Sequence, residues 1–209
     1  MKTLVILSSL GFLGILSEIL NFKKIIHKIA IVGLLVALGI TVTEWDNPIP
    51  MYFYNMVSFD NQSVAFTAVI IITGILWLLS SISFFDDEQH IADKTTLVLF
   101  SLVGAVCMVS YHNLTMLFIG IEILSICIYV LAGSKKSDLS SNESAMKYFL
   151  MGSFATGFLL MGIAFIYGAS ASFDIEEIKT YMENSPKNTE LVYTGILLLT
   201  IGLSFKISA

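Results

Sequence analysis

Asn113–Gly133, NLTMLFIGIEILSICIYVLAG, is an apolar run broken near its middle by one carboxylate, Glu122. A helix rises about 1.5 Å per residue and the hydrocarbon core of a bilayer is about 30 Å thick, so a run of about twenty residues spans it. The run therefore predicts a membrane-crossing helix with Glu122 near its centre. Insertion scales place a charged side chain there at a cost of about 2.5–3.5 kcal/mol, and such residues turn toward a bundle interior or a wet cavity. Steps of three and four residues put Thr115, Phe118, Glu122, Ser125 and Tyr129 on one stripe, and all but Phe118 can hydrogen-bond. Leu117, Ile121, Leu124 and Ile128 flank it and suit lipid or apolar neighbours. The polar stripe is therefore read as facing inward, with Thr115, Ser125 and Tyr129 supporting Glu122.

The whole chain carries the same signature. Of 209 residues, 56% are hydrophobic and 13% charged. The mean hydropathy is +0.85. A soluble domain carries roughly 25% charged residues, so the composition predicts an all-α integral membrane protein in contact with a lipid bilayer. The formal charge of −5 comes mostly from connecting segments and no basic cluster argues for nucleic acid, so no nucleic-acid partner is expected. Cys107 and Cys127 lie in separate apolar runs without metal-ligand spacing and read as packing residues. No nucleotide loop, haem site, metal site or iron–sulfur pattern occurs, so no cofactor and no redox chemistry are expected in this chain. The opening MKTLVILSSLGFLGILSEILNFKK imitates a secretory signal, one lysine and then an apolar run, but lacks the small-residue cleavage site, and Lys23, Lys24 and Lys28 follow the run rather than precede it. It is expected to remain as a first membrane helix.

About seven transmembrane spans are predicted, at 4–20, 28–43, 63–85, 95–110, 114–132, 143–167 and 191–209. A loop with Pro48 and Pro50 follows the second, and the acidic link DDEQHIAD follows the third. Only Tyr111, His112 and Asn113 separate the fourth span from the fifth, which makes those two antiparallel neighbours. DIEEIKTYMEN, before the seventh, reads as a short surface helix. We divide the chain into three amino-terminal spans, 1–92, and a second unit, 93–209. Short cytoplasmic loops are enriched in lysine. Placing Lys23, Lys24, Lys28, Lys94, Lys135 and Lys136 on that side puts the amino terminus outside.

Two lysines fall inside spans. Lys147 lies one turn into the sixth, where its stem can snorkel to the interface. Lys206 lies about 22 Å along the seventh, against about 12 Å for Glu122 along the fifth, so a direct pair requires the offset to be closed. Gly195, Leu199 and Gly202 share its stripe and would admit a second backbone. A lone buried glutamate can be a neutral structural group, since burial disfavours its charge. An acid and a base in different spans instead suit a proton relay. His112 and Glu18 are read as interfacial residues, and Gly152, Ser153, Thr156 and Gly157 as a packing face.

The stretch LTMLFIGIEILSICIYVLAG followed by NESAMKYFLMGSFATGFLLMGIAFIYGAS resembles the N-subunit family of bacterial NADH:quinone oxidoreductase, respiratory complex I, and its organellar subunit 2 counterparts. The resemblance is strong over 93–209 and rests mainly on the number and spacing of spans before that. It implies the amino-terminal half of an antiporter-like inverted-repeat fold in a bacterial inner membrane. Glu122, Lys147 and Lys206 match the family's glutamate and two lysines, which implies a proton path with Glu122 and Lys206 as a coupled pair and Lys147 in the same half-channel. The implied partners are the other antiporter-like and small membrane subunits, while NADH, flavin, iron–sulfur clusters and quinone serve other subunits. The family pattern continues beyond FKISA, so an amino-terminal fragment is expected. The rival readings are a large subunit of a multisubunit sodium/proton antiporter and a passive membrane scaffold.

Overall fold

The computed structural model describes residues 2–20, 23–46, 49–52, 55–81, 91–135, 137–184 and 187–207. Eight helices follow in order among them: α1 (Lys2–Ile19), α2 (Lys23–Thr43), α3 (Asn61–Ser81), α4 (Ile91–Val109), α5 (Leu114–Ala132), α6 (Leu139–Ser170), α7 (Ile175–Glu183) and α8 (Thr189–Lys206). Seven of these, all but α7, are long and apolar enough to cross a bilayer. The chain is a multi-pass membrane protein.

Five of the helix starts, those of α1, α3, α5, α6 and α7, are fixed by side chains that take up free amides. Glu44 accepts from the Lys2 backbone and the Thr3 hydroxyl, placing a carboxylate at the positive end of α1. Asn113, Asp138 and Asp174 cap α5, α6 and α7 through their side chains. Asp60 caps α3, and the Ser63 backbone N–H holds its carboxyl below the usual range. That cap is therefore complete at neutral pH and is lost as the pH falls through the carboxylate range.

Two groups of buried side chains organise the bundle. Leu7 and Leu10 of α1, Leu34 of α2, Ile71 and Leu78 of α3, and Leu99 and Val106 of α4 form the first. Leu114 and Ile121 of α5, Leu159, Ile163 and Ile166 of α6, and Leu199 of α8 form the second. Helix α4 joins them: a Cβ on its Gly104 would lie 2.6 Å from the Leu124 backbone nitrogen of α5. Cys107 and Cys127 are buried thiols on these two helices.

A buried histidine fastens the first group. The His27 side chain of α2 reaches the Leu78 carbonyl of α3 at 3.0 Å through Nε2 and the Thr95 hydroxyl of α4 at 3.2 Å through Nδ1. A carbonyl only accepts, so Nε2 carries the proton. Replacing His27 by leucine is expected to cost about 1–3 kcal/mol, since two hydrogen bonds go and the Thr95 hydroxyl loses a partner. An unchanged unfolding midpoint in detergent would show that this clamp contributes nothing.

The stretch after α2, read from the sequence as a loop, contains a hairpin that the all-α reading leaves out. Strands β1 (Ile49–Tyr52) and β2 (Val57–Phe59) pair antiparallel. The α4–α5 link then runs beside β2, with Ser58 N–H donating to Ser110 O and His112 N–H to Met56 O. On its other side Leu114 N–H donates to Phe173 O and Ile175 N–H to His112 O. Extended backbone thus ties this end of α4 and α5 to the approach to α7, which is the short surface helix read from DIEEIKTYMEN. His112 Nε2 also lies 3.9 Å from Asp174 Oδ1.

Other differences lie at the helix ends. The predicted second span begins at 28 and the sixth runs 143–167, whereas α2 begins at Lys23 and α6 covers Leu139–Ser170. Polar residues extend a helix beyond the hydrocarbon as readily as apolar ones, because the backbone bonds are the same. Lys94, assigned to the third link, instead lies in α4 and is buried. Residues 82–90, including the end of the predicted third span and most of the acidic link, lie outside the described residues, as do Pro48, Lys136 and the last two positions of the predicted seventh span.

Candidate functional site: an acid, a base and three hydroxyls

Helices α6 and α8 approach at glycines: a Cβ on Gly195 would lie 2.7 Å from the Gly162 carbonyl oxygen, and one on Gly162 would lie 2.7 Å from that of Gly195. Gly195, Leu199 and Gly202 are buried along this seam, and the same stripe ends at Lys206 in the last turn of α8. A cation in that position also faces the negative end of the helix dipole. Helical side chains lean toward the N-terminus of their helix, so the lysine stem returns its ammonium toward the middle of the bundle. That lean shortens the offset counted along the two helices.

The ammonium arrives among α5 side chains. Lys206 Nζ donates to Ser125 Oγ and to Tyr129 OH, each at 3.0 Å, and lies 3.8 Å from Glu122 Oε1. The lysine and glutamate side chains are 15% and 25% exposed, well withdrawn from the surface. A direct charge-assisted contact would measure about 2.7–2.9 Å. The pair is thus within strong electrostatic reach, while the lysine's hydrogen bonds are taken by hydroxyls. Glu122 Oε1 has its own donor, Thr156 Oγ1 of α6, at 2.7 Å.

Tyr129 is buried and packs edge-on against Tyr148 and Phe149 of α6, with centroids 4.8 and 6.1 Å away. A side chain on Gly152 would collide with its hydroxyl, so that glycine makes the room in which Tyr129 meets Lys206. The Lys206 ammonium also stands 5.5 Å from the Tyr129 ring centroid.

The structure therefore brings Glu122, Ser125, Tyr129 and Lys206 together. It places Lys147 elsewhere, ion-paired with Glu143 one turn earlier on the exposed part of α6. Thr115 sits in the first turn of α5, where its backbone N–H donates to the Asn113 cap. Sequence reasoning read Gly152 and Thr156 only as small packing residues; the signal that assigns them is proximity to Glu122 and Tyr129, which periodicity within α6 does not contain. A further group of ionisable residues, Glu18, Asp93 and Lys94, borders a cavity of about 420 Å³ between α1, α4 and the end of α5. Among the described residues no three His, Cys, Asp or Glu side chains gather as a metal site.

Residues 111–209 match the family model described as NADH:quinone oxidoreductase/Mrp antiporter, transmembrane. All of the chain aligns with 46% of NADH-quinone oxidoreductase subunit N from Flavobacterium psychrophilum, at 44% identity over 209 residues. The subunit N of Cytophaga hutchinsonii is likewise 44% identical over the whole chain, which covers 45% of that relative. The chain thus spans just under half the length of these relatives. In a structure of respiratory complex I from Thermus thermophilus with bound aureothin, one chain superposes with a TM-score of 0.77 at 25% identity, over 98% of this chain and 43% of that one. A chain of an archaeal membrane-bound sulfane sulfur reductase shares the fold, with a TM-score of 0.83 at 22% identity over 98% of this chain and 44% of that one. With identity at this level across its full length, the chain belongs to the NADH-quinone oxidoreductase subunit N family.

Proposed function

We propose that Glu122 and Lys206 form part of a proton path, contributed by this chain to the membrane arm of an NADH:quinone oxidoreductase. The observation that carries the reading is the Lys206 ammonium held by two α5 hydroxyls, 3.8 Å from the Glu122 carboxylate. An ionised Glu122 favours a protonated Lys206. When that attraction weakens, the ammonium is left in a poorly solvated site that disfavours its charge, and the proton is released. Ser125 and Tyr129 both donate and accept, so each can take the ammonium's hydrogen bond and offer its own proton onward.

Lys147 is proposed to act in the same half-channel. Its pairing with Glu143 outside the hydrogen-bonded cluster means that a proton passing between them crosses a gap that water would fill. Residues 93–209 are proposed as the start of the antiporter-like module, with 1–92 as flanking helices. NADH oxidation, flavin, iron–sulfur clusters and quinone are assigned to other subunits, and the partners to antiporter-like and small membrane subunits. The lysine distribution supports an amino terminus outside a bacterial inner membrane. The test is the number of protons moved per electron in the assembled oxidoreductase carrying Glu122→Gln. Proton movement that required sodium and ignored NADH would instead favour an exchanger.

A further inference from the structure

We propose that Thr156 is a positioning residue whose hydroxyl turns between two acceptors as Glu122 changes protonation. This deepens the proton-path reading and rests on it. The Thr156 hydroxyl carries one hydrogen and stands 2.7 Å from Glu122 Oε1 and 3.0 Å from the Gly152 carbonyl oxygen. One hydrogen cannot serve both acceptors fully.

An ionised carboxylate is acceptor only, whereas a protonated one gains an O–H donor. With Glu122 ionised, Thr156 directs its hydrogen to Oε1, and 2.7 Å is the length of a hydroxyl–carboxylate bond. With Glu122 protonated, the hydrogen rotates to the Gly152 carbonyl, the common i−4 acceptor for threonine in a helix, and the freed lone pair accepts from the carboxyl. Both states are satisfied by one torsional rotation, with no displacement of heavy atoms. In either protonation state the contact between Glu122 Oε1 and the Thr156 hydroxyl then keeps one donor and one acceptor.

The other groups facing Glu122 cannot do this. Lys206 Nζ is 3.8 Å away and spends its hydrogen bonds on Ser125 and Tyr129. An ammonium has donors and no acceptor, so it cannot receive a proton from a neutral carboxyl by hydrogen bonding. Among the described residues Thr156 is the hydroxyl within hydrogen-bond distance of Glu122, and it comes from a different helix, so its orientation also links the acid to α6. The geometry further ties it to Tyr129: Gly152, whose carbonyl is the acceptor when Glu122 is protonated, is the same glycine that makes room for the Tyr129 hydroxyl.

The test uses the assembled oxidoreductase with Thr156→Val, which keeps the shape and removes the hydroxyl, and Thr156→Ser, which keeps the hydroxyl. Two readouts are taken: the pH profile of protons moved per electron, and the infrared band of the protonated Glu122 carboxyl, identified by its disappearance in Glu122→Gln. The valine variant is expected to change the acid limb of the profile and to move the carboxyl band, and serine to restore both. A valine variant with the wild-type profile and band overturns the proposal. So does a serine variant that behaves as valine does while the complex is fully assembled. Normal pumping in Glu122→Gln would sink the proton-path reading itself, whereas lost pumping there with no response to Thr156→Val sinks only the hydroxyl switch.

Discussion

Protons moved per electron are expected to fall by the whole share of this subunit when Glu122 is replaced by glutamine, with the complex still assembled. Glutamine keeps the size of the side chain and its oxygen, so Thr156 retains an acceptor and the packing of α5 on α6 is preserved. What goes is the negative charge 3.8 Å from the Lys206 ammonium. At an effective dielectric near 20 and a separation near 4 Å, that charge contributes about 4 kcal/mol. Lys206→Met should produce the same loss from the other side, because the base that carries the proton is gone. The double substitution tests the scaffold alternative: full assembly with full pumping would show that both charges serve packing alone.

The second large effect is mechanical. Gly195→Leu is expected to separate α8 from α6, because even a Cβ at that position would lie 2.7 Å from the Gly162 carbonyl oxygen and 2.7 Å from Ile166 Cγ1. Overpacking of this kind costs about 3 kcal/mol, and here backbone meets backbone, so no side-chain rotation relieves it. Pushing α8 away also withdraws Lys206 from Ser125, Tyr129 and Glu122, so the variant should lose pumping along with stability. The measurement is the amount of intact complex on native gels, together with protons per electron in what remains. A leucine variant with normal assembly and normal pumping would show that the seam does not position Lys206.

Apolar run length made the seven spans legible, and the acid–base pair stood out because Glu122 and Lys206 interrupt such runs. Run length is less informative where polar residues continue a helix, so α6 extends beyond its predicted limits and α4 takes in Lys94, which burial places inside the bundle. The β1–β2 hairpin was illegible because its strands are only four and three residues long. Its pairing with the α4–α5 link depends on backbone groups far apart in sequence. Within α5 the stripe through Glu122, Ser125 and Tyr129 follows from helical spacing alone. Its continuation to Thr115 does not join the cluster, since that end of α5 faces the capping link. Thr156 could not be assigned in advance because α6 packs against both α5 and α8 and spreads its apolar residues around the helix, leaving no single inward face to read.

The lysine's own titration reports most directly on whether acid and base sense each other. With the lysine side chains labelled with nitrogen-15 and the Lys206 signal identified by its absence in Lys206→Met, its protonation can be followed against pH in wild-type complex and in Glu122→Gln. The account predicts that the two midpoints differ, because the carboxylate 3.8 Å from the ammonium is gone. Coincident midpoints would contradict it.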